Sequence, residues 1–400
     1  MAKKEVGFTA MSSKAKGAKD IPHIGIGMLG HAFMGKAHSN AYKKMPYIFW
    51  PPPAIPKLVS ICGIPEEEVA EEALRYGYQR YCSDWHEIVE DKEVDILVNG
   101  TPNSLHAEPC IEAAKNGKHL VCEKPLARNG QEAKAMLDAA QKAGVKHLCN
   151  YNYRMVPAMV LAKNLISDGK LGKLFHLRAK YLQEWIVDPQ FPIIWRLQKD
   201  LCGSGALGDL GAHIIDLARW LCGEPATVSA TATTFVKERP LEPGSKKMCK
   251  VDVDDAFAAA IEFENGAIGT LEASRFAPGR KNSLFLEVNG ELGSIYFDLE
   301  NLNNLHVYFA EEKVEETIGF HAVSVTESFH PYYEKWWPHG HIIGWENLFV
   351  HTAYNIIDSV IGDKPLEPMV ATFEDGYKNA VICDCISKSA ESGKKEEIEY

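Results

Sequence analysis

No stretch of this 400-residue chain approaches the roughly 20 consecutive apolar residues that a membrane helix needs. Its first segment, MAKKEVGFTAMSSKAKGAKD, has no apolar core of the kind a secretory signal carries. Positive charge is not in excess: 43 Lys and Arg stand against 54 Asp and Glu, a formal net charge of −11. That balance argues against a general nucleic-acid binder or a protein of anionic membrane surfaces. The ten cysteines are scattered and never spaced C-x-x-C. In a chain this long they read as reduced thiols, and a cytoplasmic location is expected. There is no internal repeat and no low-complexity block. These absences exclude a disulfide scaffold, collagen, a coiled coil and a membrane channel. What is present, 46% apolar and 24% charged residues, is ordinary for a globular protein long enough for two domains.

Residues 1–20 are polar and Lys-rich and read as a tail or arm. From residue 21 to 150, apolar strands alternate with amphipathic helices. Ile21–Ile26, Lys57–Cys62, Val94–Asn99, His119–Cys122 and Lys146–Asn150 are strands. Helices fall between about residue 30 and Lys44, at Glu66–Tyr76, and near 105–116 and 130–143. The run Met45–Pro56, MPYIFWPPPAIP, is too rich in proline for a helix interior. Continuous apolar strands between helices indicate a parallel sheet covered on both faces, a Rossmann-type α/β domain. The pattern changes over 151–372. Helices near 157–168 and 206–222 flank a long strand, Leu174–Leu182, and strands then follow one another at 227–236, 255–263, 267–275, 283–289, 293–298 and 304–309. This is an α+β domain on a large, mainly antiparallel open sheet, one face of which is left to bury, which predicts a homo-oligomer. A last helix, about 373–391 in the segment 373–400, is expected to pack back on the first domain.

Gly25-Ile26-Gly27-Met28-Leu29-Gly30 is G-x-G-x-x-G between a strand and a helix. Its glycines would permit a tight turn and close approach to a pyrophosphate at a helix N-terminus. Gly25, Gly27, Met28, Leu29 and Gly30, with Ala32 and Phe33 beyond, are candidate cofactor contacts. A ribose-binding acid is expected where the second strand ends, but that strand ends Cys62-Gly63-Ile64-Pro65. No cation stands there to hold the 2′-phosphate of NADP, and Glu66, Glu67 and Glu68 would repel one. NAD is favoured, bound firmly enough to look for after purification, with NADP left open.

Three segments carry chemistry. Asn99-Gly100-Thr101-Pro102-Asn103 and Glu123-Lys124-Pro125 each end a strand at the carboxyl edge, where such sheets bind ligands. Gly208-Asp209-Leu210-Gly211-Ala212-His213 lies on the helix near 206, with Asp209 and His213 on one face. A Lys can hold a substrate hydroxyl and stabilise negative charge on its oxygen, and a His can take its proton. Asp209 can orient the imidazole. Each also has a plainer alternative, a solvated lysine or a packed histidine. Arg154, Asn152, Trp195, Arg196 and His341 are further pocket candidates. The loop Trp336-Trp337-Pro338-His339-Gly340-His341 could wall a sugar pocket or anchor the core, and Met45–Pro56 could line a pocket mouth or brace the sheet edge. No Cys or carboxylate pattern accompanies His339 and His341, so no metal site is expected.

The segments GIGMLGHAFMGKAH, VNGTPNSLHAEPCIEAAKNGKHLVCEKPLA, YNYRMVP and WRLQKDLCGSGALGDLGAHIIDLARWL resemble the Gfo/Idh/MocA oxidoreductases, the family of glucose–fructose oxidoreductase and inositol dehydrogenase. The resemblance runs from about residue 21 to the C-terminus. It implies NAD(P)-dependent oxidation or reduction of sugars and polyols, with Lys124, Asp209 and His213 at the family's catalytic positions. It puts Thr101, Asn103, His106 and Glu123 at cofactor-contacting ones, and Pro102, Lys124, Asn152 and Arg196 are further candidate cofactor contacts. Lys124, Arg154, Trp195, Asp209, His213 and His341 are the expected substrate contacts. The aromatic loop and the GHAFMGKAHSNAY start are most similar to the glycoside 3-dehydrogenase and C-glycoside 3-oxidase branch. An inositol-type dehydrogenase, an NAD-dependent glycosidase using transient oxidation at C3, and a nicotinamide-sensing regulator are the alternatives.

Overall fold

The structure is a computed structural model and describes Asp20–Tyr400. The expected N-terminal tail, apart from Asp20, lies outside the described residues.

The first sheet is made of β1 (His23–Leu29), β2 (Ile55–Cys62), β3 (Arg80–Cys82), β4 (Ile96–Asn99), β5 (His119–Cys122) and β6 (His147–Cys149). Its strands are all parallel in the order β3-β2-β1-β4-β5-β6. Helices α1 (Phe33–Ile48), α2 (Glu66–Tyr76), α3 (His86–Glu90), α4 (Ala107–Lys115) and α5 (Gly130–Ala143) connect them. Strands such as Ile96–Asn99 are buried throughout, as apolar runs sandwiched between helices must be. The strand order reverses between β1 and β4, which opens a crevice at their carboxyl ends. α1 continues two residues past Pro46, against the expectation that Met45–Pro56 has no helical part. The proline falls in the last turn, where loss of one N–H and a slight bend are tolerated.

The second sheet begins after α6 (Pro157–Ser167) with β7 (Leu174–Leu182). Then follow α7 (Lys199–Cys202), α8 (Ala212–Cys222), β8 (Pro225–Thr233), the hairpin β9 (Glu238–Pro240) and β10 (Met248–Lys250), β11 (Ala256–Phe263), β12 (Ile268–Ser274), β13 (Ser283–Gly290), β14 (Gly293–Asp298), β15 (Asn304–Phe309) and β16 (His321–Ser324). Last come α9 (Asn347–Ile361), α10 (Phe373–Ser392) and β17 (Glu396–Glu397). The nine strands run β16-β15-β14-β13-β7-β12-β11-β8-β17, antiparallel except where β7 and β12 pair. Phe257, Ala259, Ile261 and Phe263 are buried while Ala258, Ala260 and Glu262 are exposed, so the sheet has one face under helices and one open. α6, α8 and α10 cover the buried face. The open face carries Arg178, Lys180, Phe285, Glu287, Tyr296 and His306 across neighbouring strands.

Two late helices stitch the sheets together. α9 lies on α1, and α10 lies on both α5 and β8. α10 opens with a reciprocal cap between Thr372 and Asp375. It reaches the first domain at α5, where Gly130 N–H donates to Asp384 Oδ2 at 2.8 Å, and at β6, where Phe373 N–H donates to His147 Nδ1 at 3.1 Å.

Candidate active site

Of the three glycines Gly25, Gly27 and Gly30, only Gly30 reaches the phosphate turn. Gly25 and Gly27 lie inside β1, where their missing side chains permit packing: a Cβ on Gly25 would sit 1.7 Å from Glu93 O, and one on Gly27 2.4 Å from Ile88 Cγ2. Met28 is buried in the core beside them. The turn is Gly30-His31-Ala32, and the motif is shifted by five residues, to Gly30-x-Ala32-x-x-Gly35. Gly30 takes φ +92°, and a Cβ there would meet Gly100 O at 2.7 Å. A Cβ on Gly35 would lie 2.3 Å from Gly30 O, which makes Gly35 the glycine that lets helix and strand approach. Ala32 and Phe33 are exposed, and the first turn of α1 holds no acidic residue. A bare turn and a helix N-terminus without an acidic residue in its first turn fit a dinucleotide pyrophosphate.

From this turn a cavity of about 890 Å³ runs along the carboxyl ends of β1, β2, β4 and β5 to the face of α8. Leu29, Gly30, Ala32, Phe33, Thr101, Pro102, Asn103, Glu123, Lys124, Asn152, Trp195, Arg196, Asp209 and His213 all line it. Lys124 Nζ donates to Asp209 O at 2.7 Å and to Asp209 Oδ1 at 3.3 Å. Burial alone would raise the Asp209 carboxyl, but the charges of Lys124, Arg196 and Arg275 outweigh it and hold it down to about 2. The two arginines approach its oxygens at 4.0 and 3.9 Å. His213 is buried, and burial, with the Lys124 charge beside it, pushes the imidazole well below its ordinary value of 6.5. It is a neutral base at physiological pH, and its Nδ1 has no hydrogen-bond partner among the described residues.

The chain holds these groups firmly. Asp209 lies in a π-helical turn, Leu207–Gly211, that leads into α8, a local widening common at functional sites. The Asp254 carboxylate caps that turn, accepting from Gly205 N–H at 2.7 Å and Leu207 N–H at 2.8 Å. Asn103 Nδ2 donates to Cys202 O at 2.8 Å, tying the end of β4 to α7. Glu123 sits at the cavity edge but is engaged elsewhere, accepting from Asn150 Nδ2 at 2.6 Å and paired with His38 Nε2 at 2.7 Å.

Several expected contacts belong to the scaffold. His106 is fully buried, with Nε2 3.0 Å from Thr101 O and Nδ1 3.0 Å from Pro125 O, so it braces the two loops from behind. Arg154 is spent in a buried ion network with Asp216 and Asp375 and does not reach the cavity. His341 is exposed, its Nδ1 turned to Pro338 O at 2.9 Å, and it too is away from the cavity. The loop 336–341 anchors the core: Trp336 is buried and donates Nε1–H to His351 Nε2 at 2.7 Å. Met45–Pro56 braces helices, with Phe49 stacked on Tyr354 at 4.2 Å. Beyond the loop 336–341, Trp345 lines the cavity, stacked on Phe33 at 5.3 Å, as Trp336 and Trp337 do not.

Sequence reasoning missed a polar wall at the end of β7. Tyr153 and Tyr181 share a hydrogen bond of 2.8 Å, and Asn282 Oδ1 accepts from Tyr181 Oη and Gln183 Nε2, each at 2.6 Å. Trp185 and Arg275 complete it, the guanidinium 5.6 Å from the indole centroid. The one available signal was that Gln183 and Trp185 directly follow a long strand facing the Asp209 helix.

A family model described as an oxidoreductase family with an NAD-binding Rossmann fold matches residues 24–151, and one for the GFO/IDH/MocA C-terminal domain matches 159–296. Levoglucosan dehydrogenase of Pseudarthrobacter phenanthrenivorans is 42% identical over 380 residues, 92% of this chain and 96% of its own. A solved complex of levoglucosan dehydrogenase with NADH and levoglucosan superposes with a TM-score of 0.90 at 42% identity, covering 94% of this chain and 100% of the other. D-glucoside 3-dehydrogenase of Escherichia coli is 29% identical over 227 residues, 54% of this chain and 62% of its own. With the crevice, the turn and the fold already described, the chain belongs to the Gfo/Idh/MocA oxidoreductases and is an NAD-dependent dehydrogenase acting on CH–OH groups of sugars.

Proposed function

We propose that this protein oxidises a ring secondary hydroxyl of a hexose or glycoside, at C3, with Lys124, Asp209 and His213 grouped around the reacting oxygen. The observation that carries the reading is a neutral buried imidazole and a lysine ammonium in one cavity, at the strand ends where a dinucleotide lies. Bound NAD supplies the hydride acceptor. His213 takes the hydroxyl proton at an unprotonated ring nitrogen. Lys124 hydrogen-bonds the same oxygen and stabilises the negative charge that develops on it. Asp209 keeps Lys124 aimed and offsets its charge. Trp185, Trp195 and Trp345 offer flat apolar faces to a pyranose ring, and Gln183, Asn282 and Arg275 offer partners for its other hydroxyls. The names of the two relatives, a levoglucosan and a D-glucoside 3-dehydrogenase, support a hexose substrate and C3.

The reading includes a homo-oligomer formed through the open face of the nine-stranded sheet and a cytoplasmic location. The row of aromatic and charged side chains on that face supports the first, and ten free cysteines support the second. Among the described residues no helix is long and apolar enough to cross a membrane. The test is to incubate the enzyme and NAD with levoglucosan, glucose, a C-glucoside such as puerarin, and myo-inositol, and to locate new carbonyls by carbon NMR. A ketone at ring C3 supports the reading. Oxidation only at an anomeric carbon, or turnover of inositol alone, would sink it.

A further inference from the structure

The acid expected at the end of β2 is missing, and another side chain occupies its place. Gly63 leaves room for the ring of His31, which comes from the turn after β1: a Cβ on residue 63 would lie 2.4 Å from His31 Nδ1. An Asp or Glu at 63 would therefore require this imidazole to leave its place. His31 is held from two sides. Its carbonyl accepts from Tyr76 Oη–H at 3.2 Å, and Glu68 Oε2, in the first turn of α2, stands 3.6 Å from its Nε2. His31 and Gly63 both line the cavity, whose wall continues past them through Ile64, Ser83 and Trp85.

We propose that His31 does the work of the missing acid: it selects NAD by hydrogen-bonding a hydroxyl of the adenosine ribose. The inference rests on NAD being the cofactor. The carboxyl end of the second strand is where a Rossmann acid meets that ribose. A ring nitrogen of an imidazole can hydrogen-bond a hydroxyl, which both donates and accepts. Glu68 lies toward Nε2, which leaves Nδ1, the nitrogen nearest residue 63, for the ribose. Glu66, Glu67 and Glu68 head α2 beside it and make the surroundings unfavourable for a 2′-phosphate.

Calorimetric titration of the full chain with NAD, with its analogue lacking the adenosine 2′-hydroxyl, and with NADP tests this. Wild-type protein is expected to bind NAD about 3–10-fold more tightly than the deoxy analogue, the range for one neutral hydrogen bond, and NADP more weakly than NAD. His31→Ala is expected to bind NAD and the deoxy analogue equally. His31→Phe, which keeps a ring packed on Gly63 but removes both nitrogens, is expected to behave the same, so a packing effect of the smaller residue is not mistaken for a lost contact. An undiminished preference for NAD over the deoxy analogue in these variants overturns the assignment to His31. Failure of the wild-type chain to bind NAD at all overturns the cofactor reading beneath it.

Discussion

At the scale of single residues the site turns on His213. It is buried against Tyr153 and Tyr181, with ring centroids 4.6 and 5.7 Å away, and Lys124 acts on it electrostatically. Its lowered proton affinity places the acid limb of kcat/KM below pH 6.5. Asp209 is the group that raises that affinity, so Asp209→Asn is expected to move the limb to still lower pH; a pH–rate profile that does not move would remove Asp209 from the site's electrostatics. His213→Ala is expected to lower kcat by roughly 10²–10⁴-fold while NAD affinity, measured by calorimetry, stays within about twofold, because His213 stands on the helix of the second domain, away from the phosphate turn. That Lys124, Asp209 and His213 come together in one cavity was legible because motif and position agree: a strand end and one helix face. Arg154 was not, because its partner Asp216 lies 62 residues on and nothing near Arg154 in sequence announces it. The tyrosine and asparagine wall was invisible for the same reason, being assembled from segments 153, 181 and 282.

Among elements, the β1–α1 unit is where sequence and structure part most instructively. G-x-G-x-x-G occurs at Gly25, but β1 runs on to Leu29, so the turn uses the next set, Gly30-His31-Ala32 with Gly35. The two registers make opposite predictions. Gly25→Ala places a methyl against a backbone carbonyl and is expected to cost about 1–3 kcal/mol or more of stability in denaturant unfolding, whatever it does to the cofactor. Ala32→Glu puts a carboxylate on an exposed turn at the helix N-terminus. It is expected to leave the unfolding midpoint nearly unchanged and weaken NAD at least tenfold by charge repulsion. Loss of NAD affinity in Gly25→Ala at unchanged stability would restore the first register. Elsewhere the element pattern was well marked: Glu66–Tyr76, His119–Cys122, Gly130–Ala143, Leu174–Leu182 and Gly293–Asp298 fall where the spacing places them. β3 is only three residues, too short to show a period; α9 does carry one, with Asn347, His351, Asn355 and Ser359 recurring every fourth residue, but that polar face is buried rather than turned to solvent, and sequence reasoning missed it.

For the whole molecule, α9 decides how the late loop, the second sheet and the first domain are held together, and its centre is His351. The ring is fully buried and stacked on Tyr332 at 3.9 Å. Nε2 accepts from Trp336 Nε1–H at 2.7 Å, and Nδ1–H donates to Met155 O at 2.9 Å. That pattern needs a neutral imidazole, since a proton on Nε2 would confront the indole N–H. Burial drives the group from 6.5 down to about 4. Between those values the unfolded chain binds the proton and the folded chain does not, so stability rises with pH. His351 thus contributes its stabilisation above pH 6.5 and loses it as pH falls toward 4, a swing of about 3 kcal/mol. His106, His119, His147 and His213 are shifted the same way by burial and steepen the acid side of the curve. Comparing variant with wild type isolates the one group. His351→Gln retains a donor and an acceptor but cannot titrate. It is expected to be less stable than wild type at pH 7 by urea unfolding, and the gap is expected to close by about 3 kcal/mol as pH falls toward 4. A gap that stays constant across that range would mean that the Trp336–His351 bond survives protonation and that acid opens the molecule somewhere else.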